Sequence, residues 1–170
     1  MARKLRTDEA GAIHHVFARG NRAQEIFVDD RDRRRYLHLL ASAVDGHDWA
    51  CLGYCLMTNH LHLLIETPRP NLAIGMQRLH GDYALGFNKR HGWVGHVFQG
   101  RYGAVRMKDD AHLITAIRYL DRNPVEAGLA RMPEEWQWSS STVLRGGPAP
   151  PWLAIGRLRS LLPEGRLELY

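Results

Sequence analysis

The sequence predicts an α+β fold, a split β-α-β arrangement in which four strands form one sheet with helices packed on one face. Two observations lead to this class. Runs typical of strands and stripes typical of helices follow one another in the order β-α-β-β-α-β-α. The 170 residues, 45% hydrophobic and 24% charged, are enough for one domain with its own apolar core.

The strands are predicted from apolar runs bounded by turn residues. They cover residues 12–18, 49–57, 60–67 and 97–107. Only Thr58 and Asn59 separate the second run from the third, which predicts a hairpin with both strands buried. Glycines loosen the middle of the fourth run.

Three longer helices are predicted from apolar residues spaced three and four apart, each preceded by a side chain that can cap its first turn. The capping residues are Asp29 or Asp30, Asn71, and Asp109 or Asp110. The first helix is predicted to stop at Gly46, and the third near Asn123, because a residue before proline disfavours helical geometry. Two short helices are predicted to follow, at residues 124–127 and within residues 152–162.

The composition favours an anionic partner. The 23 Lys and Arg against 18 Asp and Glu give a net charge of +5, and nucleic acid is the commonest anionic partner of such proteins. No apolar run approaches the roughly 20 residues of a membrane span, and residues 1–8 are followed by no apolar stretch of a secretory signal. We therefore expect a cytoplasmic protein, with Cys51 and Cys55 as buried, unpaired thiols on one strand face.

Two histidines form the first part of a candidate site. His60 and His62 are alternate residues of a predicted strand, so their side chains lie on the same side of the sheet. At about 7 Å apart, twice the strand rise, they can converge on one metal ion. Two unrelated histidines on a half-exposed strand would give the same pattern, so the motif alone does not decide between these interpretations.

The third predicted helix carries the second part of the candidate site. Tyr119 and Asn123 are four residues apart and therefore lie on one helical face, one turn from each other. Tyr119 can point toward the cleft of the two histidines. A core tyrosine and a capping asparagine are the alternative. His14 and His15 point to opposite strand faces, so they cannot both join this site, and packing or phosphate contact is expected of them.

Six separated segments resemble those of one protein family. They are, in order, residues 15–22 (HVFARGNR), 26–30 (IFVDD), 54–64 (YCLMTNHLHLL), 98–102 (FQGRY), 118–125 (RYLDRNPV) and 138–140 (WSS). In these segments the chain resembles the REP-associated tyrosine transposases, which belong to the single-tyrosine HUH transposases. The resemblance runs over residues 11–145, with Asp121 and Arg122 as a departure from the usual pair before Asn-Pro.

The resemblance implies a fold and a chemistry. The fold is a ferredoxin-like antiparallel sheet of four to five strands, with the histidines on a central strand and the tyrosine on a helix across from them. Tyr119 is the expected catalytic nucleophile, leaving a 5′-phosphotyrosine and a free 3′-hydroxyl that permits rejoining. His60, His62 and Asn123 are the expected ligands of Mg²⁺ or Mn²⁺. The expected domain boundaries are 1–145 for the catalytic domain and 146–170 for a C-terminal tail with a short helix.

The implied substrate is single-stranded DNA with palindromic hairpin repeats, bound by a nucleoid-associated monomer or homodimer. Polar, cationic and aromatic side chains near turns and the motif strands are the expected DNA contacts: Arg19, Asn21, Arg22, Lys89, Arg90, Gln99, Arg101 and Tyr102. Tyr102 is also the rival nucleophile. Three other functions stay open: a hairpin-binding protein that does not cleave, a rolling-circle replication initiator, and a metallohydrolase without a covalent intermediate.

Overall fold

The computed structural model describes residues 9–162 and shows one antiparallel sheet with helices on both faces. The strands are β1 (Ala12–Arg19), β2 (Ala50–Leu56), β3 (His60–Thr67) and β4 (Gly103–Arg106). Their spatial order is β2-β3-β1-β4, and all neighbours are antiparallel. This order places β3 and β1 in the centre of the sheet.

Five helices complete the described part of the chain. They are α1 (Asp30–His47), α2 (Leu72–His91), α3 (Asp110–Glu126), α4 (Ser141–Leu144) and α5 (Ile155–Leu161). The predicted α+β class and the element order are confirmed, as is the short helix expected within residues 152–162. The expectations for residues 1–8 and 163–170 lie outside the described residues. None of the described helices is long and apolar enough to cross a membrane.

One face of the sheet packs on α1 and α2. Leu61, Leu63 and Ile65 alternate along β3 and are fully buried on this side, together with Tyr36 of α1 and Tyr83 of α2. The expected orientation of the three β3 residues into the core is confirmed. The side chains that alternate with these three along β3, including His60 and His62, therefore lie on the other face.

The other face is covered by α3 and α5, which corrects the prediction that the helices lie on one face only. Leu52 of β2 and Leu64 of β3 are buried on this side. They belong to one apolar cluster with Leu113 and Leu120 of α3 and Leu158 of α5. Because these apolar sheet residues need a cover, the chain after β4 crosses to this face and α3 packs against it.

A β-bulge in β2 changes which residues face each side. The pairing of β2 with β3 shifts register between Cys51 and Gly53, and a bulge of this kind breaks the simple alternation of side chains. Cys51 is therefore buried with the α1–α2 core and Cys55 with the α3 core. Both thiols are free and buried, as expected, but the prediction that they share one strand face is wrong.

Two of the expected helix caps are confirmed by hydrogen bonds. The Asp29 carboxylate accepts from the backbone N–H groups of Arg31 and Asp32 at the start of α1. The Asp109 carboxylate accepts from the backbone N–H of His112 at 2.8 Å. These aspartates supply acceptors for N–H groups that have no partner within the helix.

The junction between α1, β2 and α2 differs from prediction. Helix α1 continues through Gly46 to His47 and ends with Asp48 in a left-handed conformation, φ 55°. Asn71 precedes α2, but its side chain makes no capping hydrogen bond. It accepts instead from Trp49 Nε1 at 2.7 Å and donates to the carbonyl of His47 at 2.9 Å. Asn71 thus ties the beginning of α2 to the end of α1.

Helix α3 continues through the Asn123–Pro124 pair to Glu126, so the predicted break and the separate helix at residues 124–127 are wrong. Proline lacks the N–H that would bond one turn back. Here the loss falls in the final turn, where Ala127 N–H still bonds the carbonyl of Asn123. Asn123 and Pro124 are both buried, and we attribute the continuation of the helix to this packing.

The fourth strand is much shorter than predicted. Residues 97–102 form an irregular segment beside the end of β1, where Asn21 N–H bonds the carbonyl of Val97 and Gln99 N–H bonds that of Arg19. The strand begins only at Gly103, where a Cβ atom would lie 2.2 Å from the ring of Phe17. A glycine is required at this position because the ring occupies the space of any side chain.

The segment after α3 covers the outer edge of β2. The N–H of Leu56 bonds the carbonyl of Trp138, and the N–H of Ser140 bonds that of Tyr54. Leu153 and Leu158 are buried in the two cores. The part of the expected tail that the structure describes therefore packs on the sheet.

Candidate functional site

The two histidines of β3 lie on the sheet face that α3 covers. Their ring centroids are 5.1 Å apart with an interplanar angle of 81°. His62 is buried, whereas His60, at the first position of β3, is partly exposed. The pair therefore extends from the edge of the protein toward its interior.

Helix α3 brings Tyr119 and Asn123 to the histidines. The ring of Tyr119 lies edge-on to that of His62, with centroids 5.1 Å apart, and 44% of the residue is exposed. One turn later, Asn123 is buried with its Oδ1 atom 3.0 Å from His60 Nε2. The capping alternative for Asn123 is thus wrong, because this side chain contacts the strand and the residue lies within the helix.

The hydrogen bonds around His60 define which ring nitrogen carries the proton. Asn59 donates through Nδ2 to the carbonyl of Ala23, which leaves its Oδ1 as an acceptor 2.8 Å from His60 Nδ1. Burial lowers the pKa of His60, and the contact with Asn123 opposes this shift in part. In the neutral ring, a proton on Nδ1 can bond to Asn59. In this tautomer, Nε2 presents a lone pair to the carbonyl oxygen of Asn123.

The second histidine also presents a nitrogen lone pair. Burial and, to a smaller extent, the neighbouring His15 and His60 lower the pKa of His62 to about 3, so this ring is neutral as well. Its Nδ1 atom lies 3.0 Å from Nε2 of His15. Its Nε2 atom is buried without a hydrogen-bond partner among the described residues, which is unusual for a buried polar atom.

These donor atoms fit a divalent cation. His60 Nε2 and the amide oxygen of Asn123 lie 3.0 Å apart, and two facing lone pairs repel unless a proton or a cation lies between them. Within residues 9–162, no group of three or more His, Cys, Asp or Glu side chains could hold a metal ion. A third ligand would have to be of another type, and the amide oxygen of Asn123 is the candidate beside His60. Two imidazoles suit Mn²⁺ better than Mg²⁺, because Mg²⁺ takes mostly oxygen ligands.

His15 is a site residue that the sequence did not single out. Its ring lies 5.8 Å from that of Tyr119 and 5.1 Å from that of His62. Burial and, to a smaller extent, the neighbouring His112 lower the pKa of His15 to about 4. The two-residue alternation of β1 puts His15 on the same face as Arg19, but only the β1–β3 register shows that this face carries the site.

Four of the expected DNA-contact residues lie near the exposed end of the site. Arg19 is opposite His60 in the β1–β3 register, and Gln99 is bonded to the backbone of Arg19. Arg22 and Arg101 are also exposed. None of the three arginines forms an ion pair within the described part of the chain.

Asn21 and Arg22 line a groove of about 400 Å³ next to this end of the site. Its other side includes Asn88, Trp93 and His96. Arg22 has a positive φ of 52° in a short 3-10 turn, which places it at a sharp bend after β1. Lys89 follows Asn88 on α2 and is exposed.

Two expected contact residues have other partners. Arg90 binds Asp32 through Nη1 at 2.6 Å and also pairs with Asp29, which connects the end of α2 to the start of α1. Tyr102 is only 5% exposed, and its ring lies edge-on to His80 in the core. Because the ring is buried, we correct the expected DNA contact of Tyr102 to a role in packing, and the burial also disfavours the rival role as nucleophile.

Asp121, which differs from the usual residue before Asn-Pro in the family that the sequence resembles, connects α3 to the following segment. Asp121 is 2% exposed, and its carboxylate accepts two hydrogen bonds from the Arg145 guanidinium, at 3.0 and 2.8 Å, and one from the Ser141 hydroxyl. This residue lies between Tyr119 and Asn123 in sequence but points away from the histidines. It therefore holds the helix that carries both side chains.

Comparisons with known proteins give a family and a similar fold. Residues 9–123 match the family model described as "Transposase IS200 like". The fold is similar to a solved structure described as that of the REP-associated tyrosine transposase bound to a REP hairpin. The TM-score is 0.73 at 14% sequence identity, covering 96% of this chain and 89% of that chain. No curated protein sequence matches the chain.

Proposed function

The chain belongs to the family of IS200-like transposases, and we propose that it cuts and rejoins single-stranded DNA with Tyr119 as the nucleophile. The observation that carries the proposal is the position of Tyr119, whose ring lies 5.1 Å from that of His62 while the residue stays 44% exposed. A nucleophile for a polymer substrate must be both accessible and close to the groups that stabilise the transition state.

The proposed cleavage conserves the energy of the phosphodiester bond. The Tyr119 hydroxyl oxygen forms a bond to phosphorus, and the bond from phosphorus to the 3′ oxygen breaks. The tyrosine proton passes to solvent or a base, and the leaving 3′ oxygen takes up a proton. The products are a 5′-phosphotyrosine and a free 3′-hydroxyl, which can attack the adduct and restore the DNA.

His60, His62 and Asn123 are the proposed ligands of Mn²⁺ or Mg²⁺. A bound divalent cation supplies Lewis-acid stabilisation of the negative charge on the non-bridging phosphate oxygens. Support comes from the buried Nε2 of His62 and from the 3.0 Å approach of His60 Nε2 to the Asn123 amide oxygen.

Hairpin-forming repeats are the proposed substrate. The solved structure with the same fold is described as bound to a REP hairpin, and a net charge of +5 suits a polyanion. Exposed polar and cationic residues near the site are the proposed contacts with the DNA: Arg19, Asn21, Arg22, Lys89, Gln99 and Arg101. We leave Arg90 out because Asp29 and Asp32 neutralise it.

The histidines and the tyrosine face each other within one chain, and we propose that a monomer carries a complete site. A cytoplasmic, nucleoid-associated location follows from the proposed substrate. Residues 1–145 are the proposed catalytic domain, with the packed residues after 145 supporting the outer edge of β2.

The test uses single-stranded oligonucleotides that carry REP-like hairpins, incubated with the full chain and Mn²⁺. A label at the 3′ end should move with the protein on a denaturing gel, because the phosphotyrosine retains the fragment on that side of the cut. A label at the 5′ end should appear on a free, shorter strand.

Two variants sharpen this test. Tyr119→Phe should form no adduct, and Tyr102→Phe should form it as the wild type does. Cleavage without an adduct would favour a metallohydrolase. Hairpin binding without cleavage by the wild type would favour a binding protein that does not cut.

A further inference from the structure

His15 of β1 contacts His62, a proposed metal ligand on β3, at the ring nitrogen that does not face the metal. His15 Nε2 and His62 Nδ1 are 3.0 Å apart, a distance at which one proton lies between two nitrogens. The pair joins neighbouring strands 47 residues apart in sequence. Which nitrogen donates determines which side of the His62 ring can bind a cation.

The other nitrogen of His62 favours one direction of this hydrogen bond. Nε2 is buried, and no acceptor for a proton lies near it among the described residues. A proton there would make Nε2 a buried N–H donor without a partner, and such orphaned donors are rarer in proteins than under-satisfied acceptors. The favoured tautomer of His62 therefore carries its proton on Nδ1, which donates to Nε2 of His15.

We propose that His15 is a positioning residue that fixes the tautomer and the ring orientation of His62, so that Nε2 offers its lone pair to the metal. The inference rests on the proposed function, in which His62 is a metal ligand. His15 itself does not coordinate, because its Nε2 is occupied by the bond to His62. A histidine ligand commonly donates its second N–H to such a partner, and loss of that partner weakens metal binding by about 10- to 100-fold.

The surroundings of the pair support a positioning role. The rings of Phe17 and Tyr119 lie 5.6 and 5.8 Å from that of His15. The edge-on contact with Tyr119 restricts the rotation of His15, and a rigid acceptor restricts its donor in turn. Phe17 also lies 6.5 Å from the His62 ring but offers it no hydrogen bond, which makes it a matched control.

The first measurement is the affinity of the metal-free full chain for Mn²⁺ by isothermal titration calorimetry. His15→Leu removes the acceptor and should weaken binding by about 10- to 100-fold. His15→Gln places an amide oxygen near the position of Nε2 and should recover much of the affinity. Phe17→Leu should bind Mn²⁺ as the wild type does. Equal binding by wild type and His15→Leu would overturn the inference.

The second measurement is the tautomer of His62 in metal-free protein, from ¹⁵N–¹H correlation spectra of the imidazole rings. The wild type should carry the proton on Nδ1, and His15→Leu should lose this preference while His15→Gln keeps it. A proton on Nε2 in the wild type would contradict the proposal. This wild-type result needs no metal and does not depend on whether His15→Leu folds.

The two measurements separate failure of the inference from failure of the proposed function. If the wild type binds no Mn²⁺, the proposed metal step is wrong, whereas the tautomer spectrum still decides the role of His15. If the wild type binds Mn²⁺ and the tautomer does not respond to His15→Leu, the metal step stands and the positioning role is wrong.

Discussion

Nε2 of His60 and Oδ1 of Asn123 face each other at 3.0 Å, joining the first residue of β3 to the last turns of α3. The contact depends on the continuation of α3 past its predicted end, because a helix broken before Pro124 would leave Asn123 free to turn away. A capping role would have needed that break. The same contact gives the candidate site its oxygen donor.

Removal of this oxygen should weaken metal binding. We expect Asn123→Ala to lower the affinity for Mn²⁺ by about tenfold, or about 1.4 kcal/mol, because two imidazoles remain without the oxygen donor. Asn123→Asp should bind at least as tightly as the wild type, since a carboxylate is a hard, charged ligand. Isothermal titration calorimetry measures both, with exposed Arg122→Ala as the control. Unchanged affinity in Asn123→Ala would exclude this residue as a ligand.

Loss of the Tyr119 hydroxyl should abolish DNA cleavage without changing the stability of the fold or hairpin binding. No described residue bonds this hydroxyl, so Tyr119→Phe should keep the melting temperature and the affinity for a hairpin oligonucleotide. Cleavage should fall by at least about a thousandfold, as expected when a nucleophile is removed. Thermal melts, gel shifts and adduct gels give the three values. Residual adduct in this variant would identify another nucleophile.

Asp121 should matter for stability because its carboxylate is buried with Arg145. Removing one partner of a fully buried ion pair costs about 3–5 kcal/mol. We expect about 2 kcal/mol for Asp121→Ala, since Arg145 is 30% exposed and also pairs with Glu134. For a chain of this size this corresponds to a fall in melting temperature of about 4–8 °C.

The exposed pair of Asp82 with Arg78, at 3.9 Å, provides the control for this measurement. Asp82→Ala should change the free energy of unfolding by less than about 0.5 kcal/mol. If the two aspartate variants melt at the same temperature, the Asp121 contacts do not stabilise α3 as we infer.

The buried His80 should make the fold sensitive to acid. Burial lowers its pKa from 6.5 to about 3, and its Nε2 is 3.1 Å from the hydroxyl of Tyr36. The unfolded chain takes up a proton below pH 6.5 and the folded chain does not, so stability falls as the pH drops from 6.5 toward 3. At about pH 5 the loss from this residue should be about 2 kcal/mol.

Urea unfolding at several pH values, compared between the wild type and His80→Gln, isolates this effect. The difference in unfolding free energy between the two proteins should shrink as the pH falls below 6.5, since glutamine does not titrate. A difference that stays constant from about pH 7.5 to about pH 5 would mean that His80 is protonated as easily in the folded state as in the unfolded chain.

Salt dependence should distinguish arginines that bind DNA from those that hold the fold. Arg19→Ala or Arg101→Ala should reduce the slope of log affinity against log salt by about 0.7–1, the loss of one phosphate contact. Arg90→Ala should keep the slope but lower the melting temperature, because Asp32 is buried beside it. Filter binding to a hairpin oligonucleotide at several salt concentrations measures the slopes. An altered slope in Arg90→Ala would return this residue to the DNA contacts.

Short-range patterns in the sequence were enough to predict the order of the elements and the local geometry of the site. Alternation along β3 put His60 and His62 on one side, and the four-residue spacing put Tyr119 and Asn123 on one helical face. The sequence also predicted the aspartate caps at the beginning of α1 and α3. All of these depend on neighbours within about one turn or one strand, where the backbone geometry fixes the outcome.

Which of these surfaces meet is a property of the tertiary structure. The bulge at Cys51, the passage of α3 to the second face and the β1–β3 register that brings His15 to His62 are long-range features. The ion pair of Arg90 with Asp32 and the burial of Tyr102 are also long-range features. They follow from the need to cover apolar surface and to satisfy buried polar atoms across elements distant in sequence, which local patterns do not encode.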